Sequence, residues 1–309
     1  MANIKEIRDR INSVNETMKI TSAMYLISST KLQKAKKMLV DTEPFFFATK
    51  AMIERIVSNI PSDTQNLFLE THSDIPESER RRGYIIFTDD KGLAGAFNHN
   101  VIRIAEEHIL GDGDKWKLFV IGELGRFHFA SRKMPIEESF LFTSQNPTLH
   151  RARKIAAEIL EYYYEREIDE FYIVYTTIKG GSCETRFEKL LPLDIISDIQ
   201  KNTDETGKIF DEFLMEPSPS AILDNIVPNY ITGFIYGALV ESFCSVQNSR
   251  MMAMDAANKN AQRMISDLHK SYNRQRQAQI TREITEVVSG AKVIREKRNK
   301  QRGQSVEKR

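Results

Sequence analysis

Residues 4–39, IKEIRDRINSVNETMKITSAMYLISSTKLQKAKKML, decide how the rest of the chain is read. Ile4, Ile7, Ile11, Val14, Met18, Thr21, Tyr25, Ser28, Leu32, Ala35 and Leu39 follow one another at alternating spacings of three and four. That is the a/d seam of a coiled coil, kept over about five heptads. Only Thr21 and Ser28 break the apolar rule, and both are small. Neither Gly nor Pro occurs between Met1 and Glu43. At ~1.5 Å rise per residue, a helix of roughly 40 to 55 residues is a rod of about 60 to 80 Å. A rod longer than a small domain needs a partner of similar length.

The partner stands at the other end of the chain. From Ala221, the residues Ile222, Leu223, Ile226, Val227, Tyr230, Ile231, Phe234, Ile235, Ala238 and Leu239 recur at helical spacing. The pattern continues through Val246, Met251, Met254, Ala257, Ala261, Met264, Ile265, Leu268 and Tyr272 to Ile280, Ile284, Val288 and Ala291. The expected fold is α+β. The N- and C-terminal segments form a long antiparallel two-helix coiled coil, and a Rossmann-like α/β domain with a largely parallel sheet is inserted between them. An ordinary helical bundle is the alternative, but the two segments are long and little interrupted for one.

Between the helices the periodicity changes. Residues 61–82 are polar and hold Pro76 and the run Arg80, Arg81, Arg82. Short β-branched and aromatic runs begin at Gly83, Trp116 and Glu170, and a fourth is expected from Cys183 to Leu193. Helical patterns fall between them, from Asn98 to Leu110, Glu123 to Lys133 and Pro147 to Arg166, with a short extended piece near Ser139 to Phe142. Gly111–Asp114 is a break. This alternation predicts a mostly parallel sheet. The expected boundaries are a helix over 1–60, a linker over 61–82, the α/β domain over 83–196 and a second linker over 197–220. The second long helix then covers 221–294 and a basic tail 295–309. Asn3 and Glu6 predict a capped start to the first helix. Pro44 is expected to perturb that helix, which then resumes toward Val57, and Pro228 to kink or restart the second. Phe45, Phe46 and Phe47 cannot all occupy a two-helix seam, so some of them should meet the insert or another subunit.

Composition narrows the function. The 309 residues carry a net charge of +1, with 41% hydrophobic and 28% charged residues. No apolar run approaches the ~18–20 residues of a membrane span. The start has no secretory or transit character. The two cysteines, Cys183 and Cys244, have no metal-ligand spacing. A soluble protein on the cytoplasmic side is the expectation. Nucleic-acid binding would want a basic face broader than one tail. Lys31, Lys34, Lys36 and Lys37 form either a solvated face or a surface for an acidic partner.

Little chemistry is encoded. Gly92-Leu-Ala-Gly95 lies between a strand and a helix, where a phosphate could sit. It lacks the third glycine of a dinucleotide fingerprint, and no GxxxxGK[ST] occurs. A tight turn that needs small residues is the simpler reading. Asp89-Asp90 reads as a magnesium pair or, more simply, as a strand-end turn. The six histidines form no metal or triad pattern. The expectation is no catalytic residue, no cofactor and no metal.

Motifs at both ends then carry a resemblance. They are Ile4-Lys-Glu-Ile-Arg-Asp-Arg-Ile11, Lys19-Ile-Thr-Ser-Ala-Met24 and Ser29-Thr-Lys-Leu-Gln-Lys-Ala35 in the first helix. In the second they are Gln247-Asn-Ser-Arg-Met-Met-Ala-Met254, Tyr272-Asn-Arg-Gln-Arg-Gln-Ala278 and Ile280-Thr-Arg-Glu-Ile-Thr-Glu-Val-Val-Ser-Gly-Ala291. Together with Thr88-Asp-Asp-Lys-Gly-Leu-Ala-Gly-Ala-Phe-Asn98, they resemble the gamma subunits of ATP synthase over nearly the whole chain.

That resemblance implies a central rotor shaft at the cytoplasmic face of the bacterial membrane, peripheral and non-catalytic. Its partners would be the alpha3beta3 hexamer, the epsilon subunit and the c-ring of the membrane sector. It would touch no nucleic acid and meet the membrane only through the complex. Lys19, Met24 and Arg250 match the family's coupling region. Gln277 and Thr281 match contacts to beta higher in the bore, and Glu283 and Glu286, with Gly290 and Ala291, match the apical bearing. For Met24, plain seam packing is an equal alternative; for Arg250, the alternative is a solvated or intramolecular ion pair.

Three departures stand out. Lys292-Val293-Ile294 replaces a small-residue ending. A tail of net +5 follows, either a helix extension, a solubilising segment or a contact for an acidic surface. Ala94 stands where some members carry Cys, and the paired cysteines of light-regulated members are not seen, so no thiol switch is expected. A coiled-coil scaffold with an α/β binding module, or an enzyme using that module on a nucleotide, are the competing readings.

Overall fold

The structure is a computed structural model that describes residues 4–58, 66–70, 75–110, 115–193, 216 and 218–306. Nine elements organise it: α1 (Ile4–Ser58), β1 (Arg82–Phe87), α2 (Phe97–Ile109), β2 (Trp116–Ile121), α3 (Glu123–Ser131), α4 (Leu149–Tyr164), β3 (Glu170–Lys179), β4 (Ser182–Leu191) and α5 (Pro219–Val306). The chain divides into two units, Met1–Met24 with Met254–Arg309, and Tyr25–Ala253. The Asn3 cap, the break at Gly111–Asp114 and most of the expected linkers lie outside the described residues.

In the first unit, α1 buries Ile7 and Ile11 and half-buries Ile4, Val14, Met18 and Thr21. These are the seam positions expected from spacing. On α5 the covered positions from Met254 on are Met254, Asp255, Ala257, Asn258, Ala261, Ile265, Leu268, Tyr272, Gln275 and Ala278, and from Asn258 they are separated by threes and fours. The Thr21 hydroxyl donates to Asn258 Oδ1 at 2.5 Å, so the polar break in the seam meets a polar partner. From Gln279 to Arg295 every residue of α5 is exposed.

In the second unit, the sheet has the order β2-β1-β3-β4. β1 pairs parallel with β2 and β3, with Ile85 opposite Phe119 and Ile173, and β3 pairs antiparallel with β4. β1 is buried along its whole length, as a central strand covered on both faces must be. Tyr84 and Ile86 face a core that includes Val101, Ala105 and Phe129 of α2 and α3. Ile85 and Phe87 face the other core, which takes in α1, α4 and α5. The period-two alternation of one strand thus fixes which helices lie on which face. Phe46 of α1 stacks on Tyr230 of α5 at 5.4 Å, while Lys36 lies near Cys244, so the two helices run antiparallel here.

Several local expectations change. Pro44 lies inside an uninterrupted α1 and Pro228 inside an uninterrupted α5. A proline removes one helical hydrogen bond, at ~3 kcal/mol. Packing on either side offsets that cost: Phe46 meets Tyr230 and Phe234, while Val227 and Ile231 are fully buried. Phe46 alone enters the seam; Phe45 and Phe47 are exposed. Ser139–Phe142 is not a strand. Its Phe140 is buried edge-on against Phe119 at 5.3 Å. The α5 backbone stays helical beyond residue 294, through Val306.

Candidate functional site

The Thr88–Asn98 turn holds a dense polar network in the second unit. It leaves β1, crosses the end of the sheet and enters α2. Leu93 and Gly95 take positive φ of 66° and 58°, which makes the turn tight enough to start α2 at Phe97. The neighbouring Gly122, at φ 96°, is a glycine by necessity. A Cβ there would sit 2.3 Å from the Thr88 carbonyl oxygen.

Both aspartates of the turn are engaged by protein donors. Asp90 accepts from the Thr143 hydroxyl, from Ser144 N–H at 3.1 Å and from Glu123 N–H at 3.1 Å. It therefore anchors the start of α3, whose own cap residue is a glycine. Asp89 accepts from Ser144 Oγ at 3.2 Å and from the Arg250 guanidinium of α5. The side chains of Arg250 and Asp89 are 10% and 4% exposed. Arg250 also lies 3.4 Å from the carbonyls of Lys91 and Gly92. Among the described residues no group of three His, Cys, Asp or Glu side chains could hold a metal.

The sheet and α5 are tied by three hydroxyls at helical spacing. Ser242 Oγ accepts from Thr176 N–H at 3.3 Å, Ser245 Oγ donates to Thr176 O at 3.0 Å, and Ser249 Oγ lies 3.3 Å from Cys183 Sγ. Sequence reasoning passed over them. Their signal is a 3/4-spaced hydroxyl stripe inside an apolar helix. Burial pushes the Cys244 thiol up to about 11, which leaves it an inert core thiol.

At the opposite edge, burial alone would raise Glu170. Hydrogen bonds from Lys189, Tyr172 and Arg82 instead hold it down to about 2. Arg80 also pairs with it, at 3.0 Å, and Arg81 pairs with Asp169 at 2.6 Å. The Arg80–Arg82 run is thus folded into a clasp at the base of β1 and β3.

The residues singled out from sequence fall into two sets. Arg250 points inward, onto Asp89, so its charge is part of the interior. Reversing it would put two carboxylates together in a buried site, and the isolated chain would not tolerate that unchanged. The other six lie along the first unit. Lys19 is exposed and pairs with Glu16 at 2.8 Å. Met24 is half-buried in the seam. Gln277, Thr281, Glu283 and Glu286 are all exposed. Thr281 Oγ1 donates to the Gln277 carbonyl at 2.9 Å and Glu283 accepts from Gln279 at 2.9 Å.

A long helix pair with a small α/β domain inserted in sequence between its two helices, and polar chemistry spent on holding that domain to α5, is the class the fold defines. The family described as ATP synthase matches residues 3–294. The chain is 42% identical over 296 residues to the ATP synthase gamma chain of Caldanaerobacter subterraneus subsp. tengcongensis, covering 94% of this chain and 99% of that one. It is 38% identical over 305 residues to the sodium ion specific ATP synthase gamma chain of Acetobacterium woodii, again covering 94% and 99%. This chain belongs to the ATP synthase gamma chain family. Its fold also matches the rotor of the Euglena gracilis mitochondrial ATP synthase, at a TM-score of 0.61 and 16% identity over 90% of this chain and 98% of that one. A central-stalk chain from Tetrahymena thermophila gives a TM-score of 0.55 at 21% identity, over 77% and 99%.

Proposed function

We propose that this chain is the rotor shaft of an ATP synthase. It turns inside an alpha3beta3 ring and stands, with an epsilon subunit, on a membrane c-ring at the cytoplasmic face. It makes and breaks no bonds itself. The observation that carries the reading is the end of α5. Over Gln279–Arg295 the helix is exposed on every side, yet it carries Ile280, Ile284, Val287, Val288, Val293 and Ile294 at 43–71% exposure. All but Val293 recur at helical spacing and so share one face, an uncovered apolar stripe of the kind that marks a contact with a partner protein. No described helix is long and apolar enough to cross a membrane, so attachment there is peripheral.

The mechanism follows from differential contact. A beta subunit that moves between conformations meets the shaft through Lys19, Met24, Gln277 and Thr281 with different energies in each. Rotation changes which conformation is favoured, and nucleotide affinity changes with it. Glu283 and Glu286 sit in the bearing. Arg250 contributes from inside, by fixing the loop after β1 to α5. The test is reconstitution with alpha and beta subunits. The reading expects ATPase activity that depends on this chain and declines when α5 is cut before Gln277. Equal activity without the chain overturns it.

A further inference from the structure

A cavity of about 120 Å³ opens between α1, α5 and the sheet in the second unit. Its walls are aromatic: Phe46, Phe47 and Phe234 from the two helices, with Tyr175 from β3. Phe46 lies 5.9 Å from Phe234, and Phe234 meets Tyr175 edge-on at 6.1 Å. Its floor is one face of α5, formed by Gly233, Gly237 and Glu241 at successive helical turns. A Cβ at Gly237 would meet nothing within 4 Å, and one at Gly233 would meet only Phe46, at 3.4 Å. Each glycine inside a helix costs ~1 kcal/mol against alanine. Two of them a turn apart leave room where packing would otherwise put side chains.

The polar end of the cavity is acidic. Glu43 and Glu188 act on the Glu241 carboxyl against Arg186, and Lys36 lies nearby at Cys244, so three carboxylates face two cations. Burial pushes Glu241 up, and a hydrogen bond from Thr177 works against that. Aromatic faces carry negative quadrupoles and attract cations, especially where water is excluded. The space is close to that of a cavity of ~150 Å³ that takes up benzene, room for one ring or a short alkyl chain. A nucleotide is too large and has the wrong charge.

We infer that this cavity is a binding site for a small organic cation, an aryl- or alkylammonium. Its apolar body lies against the phenylalanine rings and its ammonium group faces Glu241. The ammonium offsets the local excess of carboxylate, and the ring fills the space above Gly237.

The experiment titrates the full chain with 2-phenylethylammonium, followed by calorimetry and ligand-observed NMR. 2-Phenylethanol is the neutral control and 3-phenylpropanoate the anionic one. Saturable one-to-one binding of the cation is expected, at least tenfold tighter than the alcohol, with no binding of the anion. Glu241→Gln is expected to weaken the cation at least tenfold. Gly237→Leu is expected to abolish binding with unchanged circular dichroism, because its side chain enters empty space. Absence of cation binding overturns the assignment. So does equal binding of the alcohol, which marks a mere apolar crevice, or retention of binding in Gly237→Leu. Loss of the site on reconstitution with alpha and beta would assign the cavity to a protein side chain and overturn it as well.

Discussion

Replacing Arg250 by methionine tests how the α/β domain is held to α5. The substitution keeps the apolar stem and removes the cation. Asp89 is left 4% exposed without the charged donor it has among the described residues, although Ser144 Oγ and Asp90 N–H still reach its other oxygen, at 3.2 and 2.9 Å. Breaking a buried pair from one side costs about 3–5 kcal/mol. The surviving hydrogen bonds place the loss near the lower end, ~3 kcal/mol, equivalent to a fall of about 6–12 °C in Tm for a unit of this size. Asp89→Asn alone strands the arginine and is expected to cost a similar amount. The double variant removes both charges and should recover at least ~2 kcal/mol of the summed losses. Urea unfolding of the isolated chain, run as a double-mutant cycle, measures each term. If Arg250→Met leaves the isolated chain's stability unchanged, or if the two losses simply add, the pair is not a clasp and Arg250 acts only outside the chain.

Four further outcomes follow from the same geometry. Glu170 is held at about 2 against 4.5 for a free carboxyl, so its contribution is complete above pH ~4.5 and is lost as pH falls toward 2. That contribution is ~3 kcal/mol, and unfolding measured from pH 6 to pH 2 should show a drop that Glu170→Gln flattens. Gly125→Ala brings a Cβ to 2.5 Å from Thr88 Oγ1 and should destabilise the chain by about 1–3 kcal/mol in chemical denaturation. Thr21→Val removes the donor to Asn258 across the seam and should cost about 1 kcal/mol, read from thermal melts. Ile284→Asp and Val288→Asp alter exposed positions, so the free chain should change by less than ~0.5 kcal/mol, while ATPase of the reconstituted complex should fall severalfold.

The helix pair was legible because burial demands a stripe, and a stripe writes its period directly into the sequence. Ile4 to Leu39 specified the seam before any coordinates, and strands of six to ten residues announced themselves by β-branched runs between turn residues. Pro44 and Pro228 misled because a local rule about one lost hydrogen bond was weighed without the packing of Phe46, Val227 and Ile231. An ion pair within the chain stood among the readings of Arg250, but its partner was not legible, because Asp89 stands 161 positions away and no spacing connects them. Asp89 read as part of a strand-end turn, which is where it stands. The aromatic cavity was hidden for the same reason. Phe46, Tyr175 and Gly237 become neighbours only once the sheet has docked against the helix pair.

A rotor shaft must move relative to the ring around it. A bead fixed to a cysteine introduced on the exposed face of α2, in a complex whose beta subunits are anchored to glass, reports that motion directly under a microscope. With ATP supplied, sustained rotation in a single direction is the predicted result. Continued ATP hydrolysis with the bead fluctuating about one fixed angle contradicts it.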